Sequence, residues 1–177
     1  MTDQELVQAC LKGNSDAQRL LYDKFAPHMM AVCLRYAGNP ADAQDMMQEG
    51  FIKVFDKLGK FSGTGSLAGW VRMVVINCAL IQLRQNKKHL YHDDVEEAHD
   101  LSNSDVDVIS QLSANEIGNL IQDMPQGYRT VFNLFAVEGY SHREIADKMS
   151  ISENTSKTQF FKAKAWLRKQ LVALERT

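Results

Sequence analysis

Three cysteines among 177 residues leave little room for a disulfide framework. Cys10, Cys33 and Cys78 are odd in number, far apart and set among apolar residues, so the sequence predicts buried reduced thiols acting as small hydrophobes. There is no CxxC, no HExxH and no His/Cys pairing at metal-binding spacing. His89, His92 and His99 lie in an acidic stretch and read as solvated loop side chains; neither a metal nor a cofactor is expected. A GK[ST] signature is missing, and no nucleophile–base pair is visible, which argues against an enzyme. No stretch approaches the roughly 18 consecutive apolar residues of a membrane span. The opening Met1–Glu5 is acidic and lacks the basic-then-apolar pattern of a signal peptide, so a cytoplasmic chain without membrane insertion is expected. Alternating β patterns of useful length and internal repeats are likewise missing.

What is present is helix signal nearly throughout. Thr2-Asp3-Gln4-Glu5 has capping-box spacing and opens a short helix ended by Gly13-Asn14. Ser15 with Gln18 repeats the spacing before Leu20, Leu21, Phe25, Met29, Val32 and Leu34. After Gly38, Asn39 is placed to cap a helix with Pro40 at its first position. That helix runs to about Leu58, and Met47, Phe51, Val54, Phe55 and Leu58 form one apolar stripe along it. Lys60–Gly69 reads as a Gly/Ser loop, and Trp70 to about Lys88 as a further helix. Past residue 111 a second helical module is predicted: a helix over about Leu112–Met124, a turn at Pro125-Gln126-Gly127, a helix over Tyr128–Val137 and two short helices meeting near Ser150.

The net charge of −2 conceals an uneven distribution. Residues 1–88 carry eleven Lys/Arg against eight Asp/Glu, and residues 108–177 carry nine against seven. Between them, residues 89–107 carry seven acidic and no basic residues. Two mildly basic modules therefore flank an acidic strap rich in Asp, Glu, Ser and Asn and without sustained periodicity, which reads as a flexible linker. The expected architecture is all-α, with two small helical domains over residues 1–91 and 112–177 joined by an acidic linker over 92–111.

The C-terminal module has the form of a DNA-binding helix-turn-helix. Ser141-His142-Arg143-Glu144 is a capping box that opens a helix burying Ile145, Ala146 and Met149. Met149–Ser152 makes the turn, and Ser152 caps a last helix that buries Phe160, Ala163 and Leu167. Its other faces carry Lys157, Lys162, Lys164, Arg168 and Lys169. A helix docked by its apolar side and basic elsewhere can enter a major groove: cations neutralise phosphates while polar side chains near its start reach base edges. An ordinary amphipathic terminal helix would share the charge pattern but not the turn with two caps. Phe161, about 100° from Phe160 around the helix, fits either contact with a thymine methyl or a wider core contact.

In the N-terminal module, Asp42, Asp45 and Glu49 share one face of a helix, a ridge that suits solvent or a basic partner equally. The segment Lys60-Phe61-Ser62-Gly63-Thr64-Gly65-Ser66-Leu67-Ala68-Gly69-Trp70 leads into a helix with Arg72, Asn77 and Arg84. A flexible loop between aromatics and cations suits single-stranded DNA, whose bases stack or enter pockets while cations follow the backbone.

On these residues the chain resembles bacterial RNA polymerase sigma factors of the sigma-70 family, extracytoplasmic-function group. The likeness rests on Leu21-Tyr22, Arg35-Tyr36, Asp42-Ala43-Gln44-Asp45 with Gln48 and Phe51, Phe61, Trp70, Asn77 and Leu83-Arg84. It continues through Met124-Pro125-Gln126-Gly127-Tyr128-Arg129, Glu138-Gly139-Tyr140-Ser141, Glu144-Ile145-Ala146 and Thr155-Ser156-Lys157. The resemblance implies a region 2 bundle and a region 4 helix-turn-helix, with partners in core RNA polymerase (clamp and flap), promoter DNA and an anti-sigma factor. It implies polymerase contacts at Asp42, Asp45, Gln48 and Glu49, and minus-ten contacts at Lys60, Phe61, Ser62, Trp70, Asn77 and Arg84. It implies minus-thirty-five contacts at Ser141, Arg143, Lys157, Thr158, Phe161, Lys162, Lys164 and Arg168. The chain departs from the family pattern at Met73, Ile81, Ser150 and Asn154; serine in place of the turn glycine must avoid positive φ or strain the backbone. The competing reading is another helix-turn-helix regulator with a sensory N-terminal domain, but the strand–helix alternation of a receiver domain is absent.

Overall fold

The computed structural model describes residues 1–85 and 114–175. The predicted linker at 92–111 and His89, His92 and His99 lie outside them. The described residues form helices without a strand, as the all-α expectation required. Contacts group the chain into two units, Met1–Leu83 and Arg84–Thr177.

The first unit holds α1 (Asp3–Leu11), α2 (Ser15–Tyr36), α3 (Pro40–Lys57), a 3-10 turn (Leu58–Lys60) and α4 (Leu67–Gln85). Thr2 completes its capping box: its hydroxyl accepts from the Glu5 N–H at 3.2 Å, and the Glu5 carboxylate accepts from the Thr2 N–H at 2.6 Å. Asn39 caps α3 by accepting from the Asp42 N–H at 2.9 Å, with Pro40 at the first position. The cap of α2 is Asn14, whose side chain accepts from the Ala17 N–H at 2.9 Å, and not Ser15, which is already helical. Either side chain has the chemistry, and the extended backbone falls at Asn14.

The core gathers Leu21, Cys33, Tyr36, Val54, Leu67, Val71 and Val75. Tyr22 meets Phe51 at 4.7 Å between ring centroids. Gly50 lets α3 close on α4, since a Cβ there would stand 3.1–3.3 Å from the Val75 side chain. Leu20, expected on the apolar list of α2, is 46% exposed, and Leu34 is only half-buried. All three cysteines are buried and unpaired, and burial, then the neighbouring Cys78, pushes the Cys33 thiol up to about 12. Among the described residues one helix, α4, is long and apolar enough on average to cross a membrane, although Arg72, Asn77, Gln82 and Arg84 interrupt its apolar run. Much of its apolar surface is spent inside the unit, where Leu67, Val71, Val74, Val75, Ile76, Leu80 and Leu83 are buried, while Met73 and Ile81 stay exposed. Helix α4 also begins earlier than predicted, because Ser66 Oγ accepts from the Gly69 N–H at 3.3 Å and starts the helix at Leu67.

The second unit holds α5 (Ala114–Asp123), α6 (Gln126–Phe132), a π-helical turn (Asn133–Val137), α7 (His142–Met149) and α8 (Glu153–Glu175). Gln126 and Gly127, expected in a turn, are the first residues of α6, which follows Pro125 directly. The single helix expected over Tyr128–Val137 changes pitch at Asn133, where the Glu138 N–H reaches five residues back to the Asn133 carbonyl at 2.9 Å. The final helix is 23 residues, not short. Met124, Ala163 and Leu167 form a core flanked by Leu120, Tyr128, Phe132 and Trp166. Buried Arg129 closes the α5–α6 corner, donating to the Gln122 carbonyl at 2.6 Å and to Gln126 Oε1 at 2.5 Å. Its burial holds the guanidinium below its ordinary value.

Candidate nucleic-acid interface

In the first unit, Asp42, Asp45, Gln48 and Glu49 are all exposed on α3. The three carboxylates fall within an arc of about 60°, on the side away from buried Met47 and Phe51, and Gln48 lies about 60° beyond Asp45. Asp42 is partly engaged, accepting from Asn39 Nδ2 at 2.8 Å. The ridge is thus real as geometry, with Asp45 and Glu49 projecting beyond the cap.

The loop between Lys60 and Leu67 is shaped by two glycines at positive φ, Gly63 at 77° and Gly65 at 80°. Ser62 and Thr64 hydroxyls share a hydrogen bond of 2.6 Å, so the turn is locked by its own side chains. Lys60 and Ser62 are exposed, while Phe61 is half-buried with its ring 5.7 Å from that of Trp70. Trp70, Asn77 and Arg84 recur every seven residues and therefore share one face of α4. Exposed Met73 and Ile81 lie between them on that face. The predicted loop and helix residues are thereby brought into two adjoining sets, one on the loop and one on the face of α4.

In the second unit, Ser141 caps α7 in a full capping box. Its hydroxyl accepts from the Glu144 N–H at 3.3 Å, and both its own N–H and hydroxyl meet Glu144 Oε2 at 2.8 Å. Both donors of Ser141 are thus directed to Glu144, and these hydrogen bonds hold that carboxyl below its ordinary value. Arg143 beside it is exposed. Ser150 adopts φ 53°, ψ 48°, so the strained alternative foreseen for this turn is the one the fold takes. Ser152 Oγ accepts from the Thr155 N–H at 2.9 Å and starts α8.

Helix α8 docks through Ser156, Gln159, Ala163, Leu167 and Leu171. Phe160 is half-buried rather than buried; its ring lies 4.5 Å from Phe135 and 6.1 Å from Phe132. Lys157 and Lys164 are exposed, whereas Thr158, Phe161, Lys162 and Arg168 are half-buried. Lys157 pairs with Glu153 at 2.8 Å, and Lys164 Nζ stands 5.2 Å from the Phe160 ring centroid. Lys157 and Lys162 are five residues apart, about 140° around the helix, so they occupy opposite flanks.

Sequence reasoning missed the residue that ties α7 to α8. His142 Nδ1 lies 2.9 Å from Oγ of fully buried Ser156, and its ring stacks on Phe135. The i, i+14 separation gives no local pattern to read. The arrangement is a helix-turn-helix whose last helix carries basic side chains on both flanks.

A family model described as "Sigma-70 region 2" matches residues 21–89, and one described as "Sigma-70, region 4" matches residues 114–167. Together they span more than half of the chain. The chain is similar to the RNA polymerase sigma-H factor of Pseudomonas aeruginosa, 28% identical over 185 residues covering 98% of this chain and 96% of that protein. It is also similar to the ECF RNA polymerase sigma factor SigW of Bacillus subtilis, 27% identical over 175 residues covering 90% and 91%. Among solved structures, CnrH in complex with the cytosolic domain of CnrY has a similar fold, with a TM-score of 0.50, 18% identity and 97% of each chain covered.

Proposed function

The chain belongs to the sigma-70 family of RNA polymerase sigma factors, in its extracytoplasmic-function group, and from that premise we propose that it binds core polymerase and directs it to promoters. The observation that carries this is the order of the two family matches in one chain, region 2 at 21–89 and region 4 at 114–167. The region 2 unit docks on the polymerase clamp through Asp42, Asp45, Gln48 and Glu49. It recognises and melts the minus-ten element through Lys60, Phe61, Ser62, Asn77 and Arg84, with Trp70 buttressing Phe61. The region 4 unit, contacting the flap, binds the minus-thirty-five element through Arg143, Lys157, Thr158, Phe161, Lys162, Lys164 and Arg168, with Ser141 holding the start of α7. The protein acts as an initiation factor in the cytoplasm and not as an enzyme, and an anti-sigma factor restrains it.

The seven acidic residues of 89–107 keep the free protein off DNA and ease the segment into a basic channel of the polymerase. The domain limits we propose, 1–91 and 112–177, rest on the polar composition and missing periodicity of the segment between them.

Run-off transcription with core polymerase and this protein, with sequencing of the transcript starts, tests the proposal. The expected result is a set of discrete starts, absent with core alone, preceded by shared minus-ten and minus-thirty-five sequences. Starts identical with and without the protein would refute it. The alternative of a conventional helix-turn-helix regulator predicts operator binding without any gain in transcription from core polymerase alone.

A further inference from the structure

A cleft of about 300 Å³ opens between α1 and the loop that follows the 3-10 turn. Gln4, Val7 and Gln8 line it from the helix, and Phe61, Ser62 and Gly63 from the loop. Gln4 and Gln8, four residues apart, are exposed and lie on one face of α1. Among the described residues neither side-chain amide makes a hydrogen bond. Gly63 is what lets the two walls meet. A Cβ at this position would stand 2.8 Å from Gln4 Nε2, and the φ of 77° favours glycine independently.

The lining defines the occupant. Val7 and the Phe61 ring supply apolar surface, the two amides supply paired donors and acceptors, and no lining residue carries a charge. A phosphate would find no cation here. A flat group with an apolar face and a hydrogen-bonding edge fits, which is the chemistry of an unstacked nucleobase. The volume sits at the lower end of small-ligand pockets, the scale of one base and not of a duplex.

We propose that Gln4 and Gln8 are specificity-determining residues that read the edge of one extruded base of the minus-ten element, from the helix side of the cleft. This rests on the reading of the Lys60–Trp70 loop as the minus-ten reader, and adds to it a second wall supplied by α1.

The test uses full-length protein with core polymerase and forked promoter DNA whose minus-ten strand is single-stranded. Each minus-ten position is changed in turn to all four bases, and affinities are compared for wild type, Gln4→Ala/Gln8→Ala, Gln4→Glu, Gln8→Glu and Phe61→Ala. A bidentate amide contact discriminates by about tenfold. Wild type should therefore prefer particular bases at one position, and the double alanine variant should flatten that position alone. A carboxylate only accepts hydrogen bonds, so one or both glutamate variants should shift the preference toward bases whose exposed edge offers donors, above all guanine with its adjacent N1–H and amino group, and away from any base that wild type recognises through a base acceptor. Ratios between bases cancel any uniform repulsion from the added charge. Both glutamines are exposed and lack intramolecular bonds, so thermal midpoints should stay unchanged.

An unaltered base profile in the double alanine variant, or a loss equal for all bases and positions, would overturn the proposal. If Phe61→Ala still weakens fork binding in that case, the loop reading survives without α1. If Phe61→Ala is silent as well, the loop reading falls with it.

Discussion

The imidazole of His142 lies nearly flat on the ring of Phe135, with centroids 4.4 Å apart and planes 15° from parallel. The same ring meets Phe160 at 5.8 Å and reaches Ser156 Oγ, so one side chain at the start of α7 fixes the angle between the two helices of the DNA-binding unit. Burial, and after it the charge of Lys157, holds this imidazole below its ordinary value, against a smaller opposing pull from Glu153.

A pH dependence follows. The unfolded chain takes up a proton at the ordinary histidine value of about 6.5, whereas folded His142 does so only at lower pH. Between the two values the unfolded state binds more protons, so stability rises with pH there. The contribution is complete above about 6.5, is lost as pH falls through that value, and levels off below the folded value. Thermal unfolding from about pH 7.5 to 5.5 should show a steeper loss in wild type than in His142→Gln. Parallel slopes would show that His142 is not the group responsible.

Ser150 makes a second prediction, from its backbone conformation. Its αL conformation costs an L-residue roughly 1–2 kcal/mol. Glycine removes that cost but gives back about 0.5–1 kcal/mol of chain entropy. Ser150→Gly should therefore stabilise the protein by up to about 1.5 kcal/mol, seen as a higher urea midpoint at unchanged slope. A destabilised variant would mean that the serine side chain contributes more than its backbone costs.

Much of this was legible because caps are local. Thr2 with Glu5, Asn39 with Pro40, and Ser141 with Glu144 carry their geometry in four residues of text. Neighbouring cap-capable residues such as Asn14 and Ser15 are not separable by their chemistry alone. The apolar stripe of α3 could be read from its period, but α4 is buried on so many sides that its composition matches a membrane span. Contacts between distant residues stayed hidden: His142 with Ser156, buried Arg129 with Gln122, and Gln4 against Gly63. Each joins residue types with no pattern of their own, and only the packed helices bring them together.

The proposed polymerase dock is testable at Asp45. It is exposed on α3 beside Glu49, with its neighbours Met46 and Met47 buried beneath. Asp45→Lys should weaken binding to core polymerase about tenfold, or about 1.4 kcal/mol, in a fluorescence titration. Stability should move by no more than about 0.5 kcal/mol, since the site is on the surface. Unchanged core affinity would remove α3 as the docking helix.

Melting is testable through Phe61 and Asn77. Phe61 is buttressed by Trp70, and Asn77 shares the face of α4 with Trp70 and Arg84. Loss of a stacked base costs about 1–3 kcal/mol, so Phe61→Ala should lower open-complex formation by about tenfold or more. Asn77→Ala should also lower it. A template with a pre-opened bubble should restore part of the loss. An equal defect on the bubble template would assign both residues to folding or docking instead.

The last prediction separates base from phosphate contacts along α8. Its N-terminal half carries Lys157, Thr158, Phe161 and Lys162, and helix-turn-helix docking directs that half into the major groove. Lys164 and Arg168 come later, where in that docking the helix would leave the groove and meet the backbone. Lys157→Ala or Lys162→Ala should cost about 1–3 kcal/mol on the matching minus-thirty-five element and relax base preference there. Lys164→Ala or Arg168→Ala should weaken all sequences alike and reduce the salt slope by about one unit each. The structure adds a control. Lys157 is held by Glu153 at 2.8 Å, so part of its charge is already compensated. Glu153→Ala should then strengthen DNA binding in wild type but much less in a Lys157→Ala background, a difference that only the paired geometry produces. Titrations on matched and scrambled DNA across a salt series provide the measurement. If Lys157 and Lys162 act as uniformly as Lys164 and Arg168, the helix enters the groove in a different orientation.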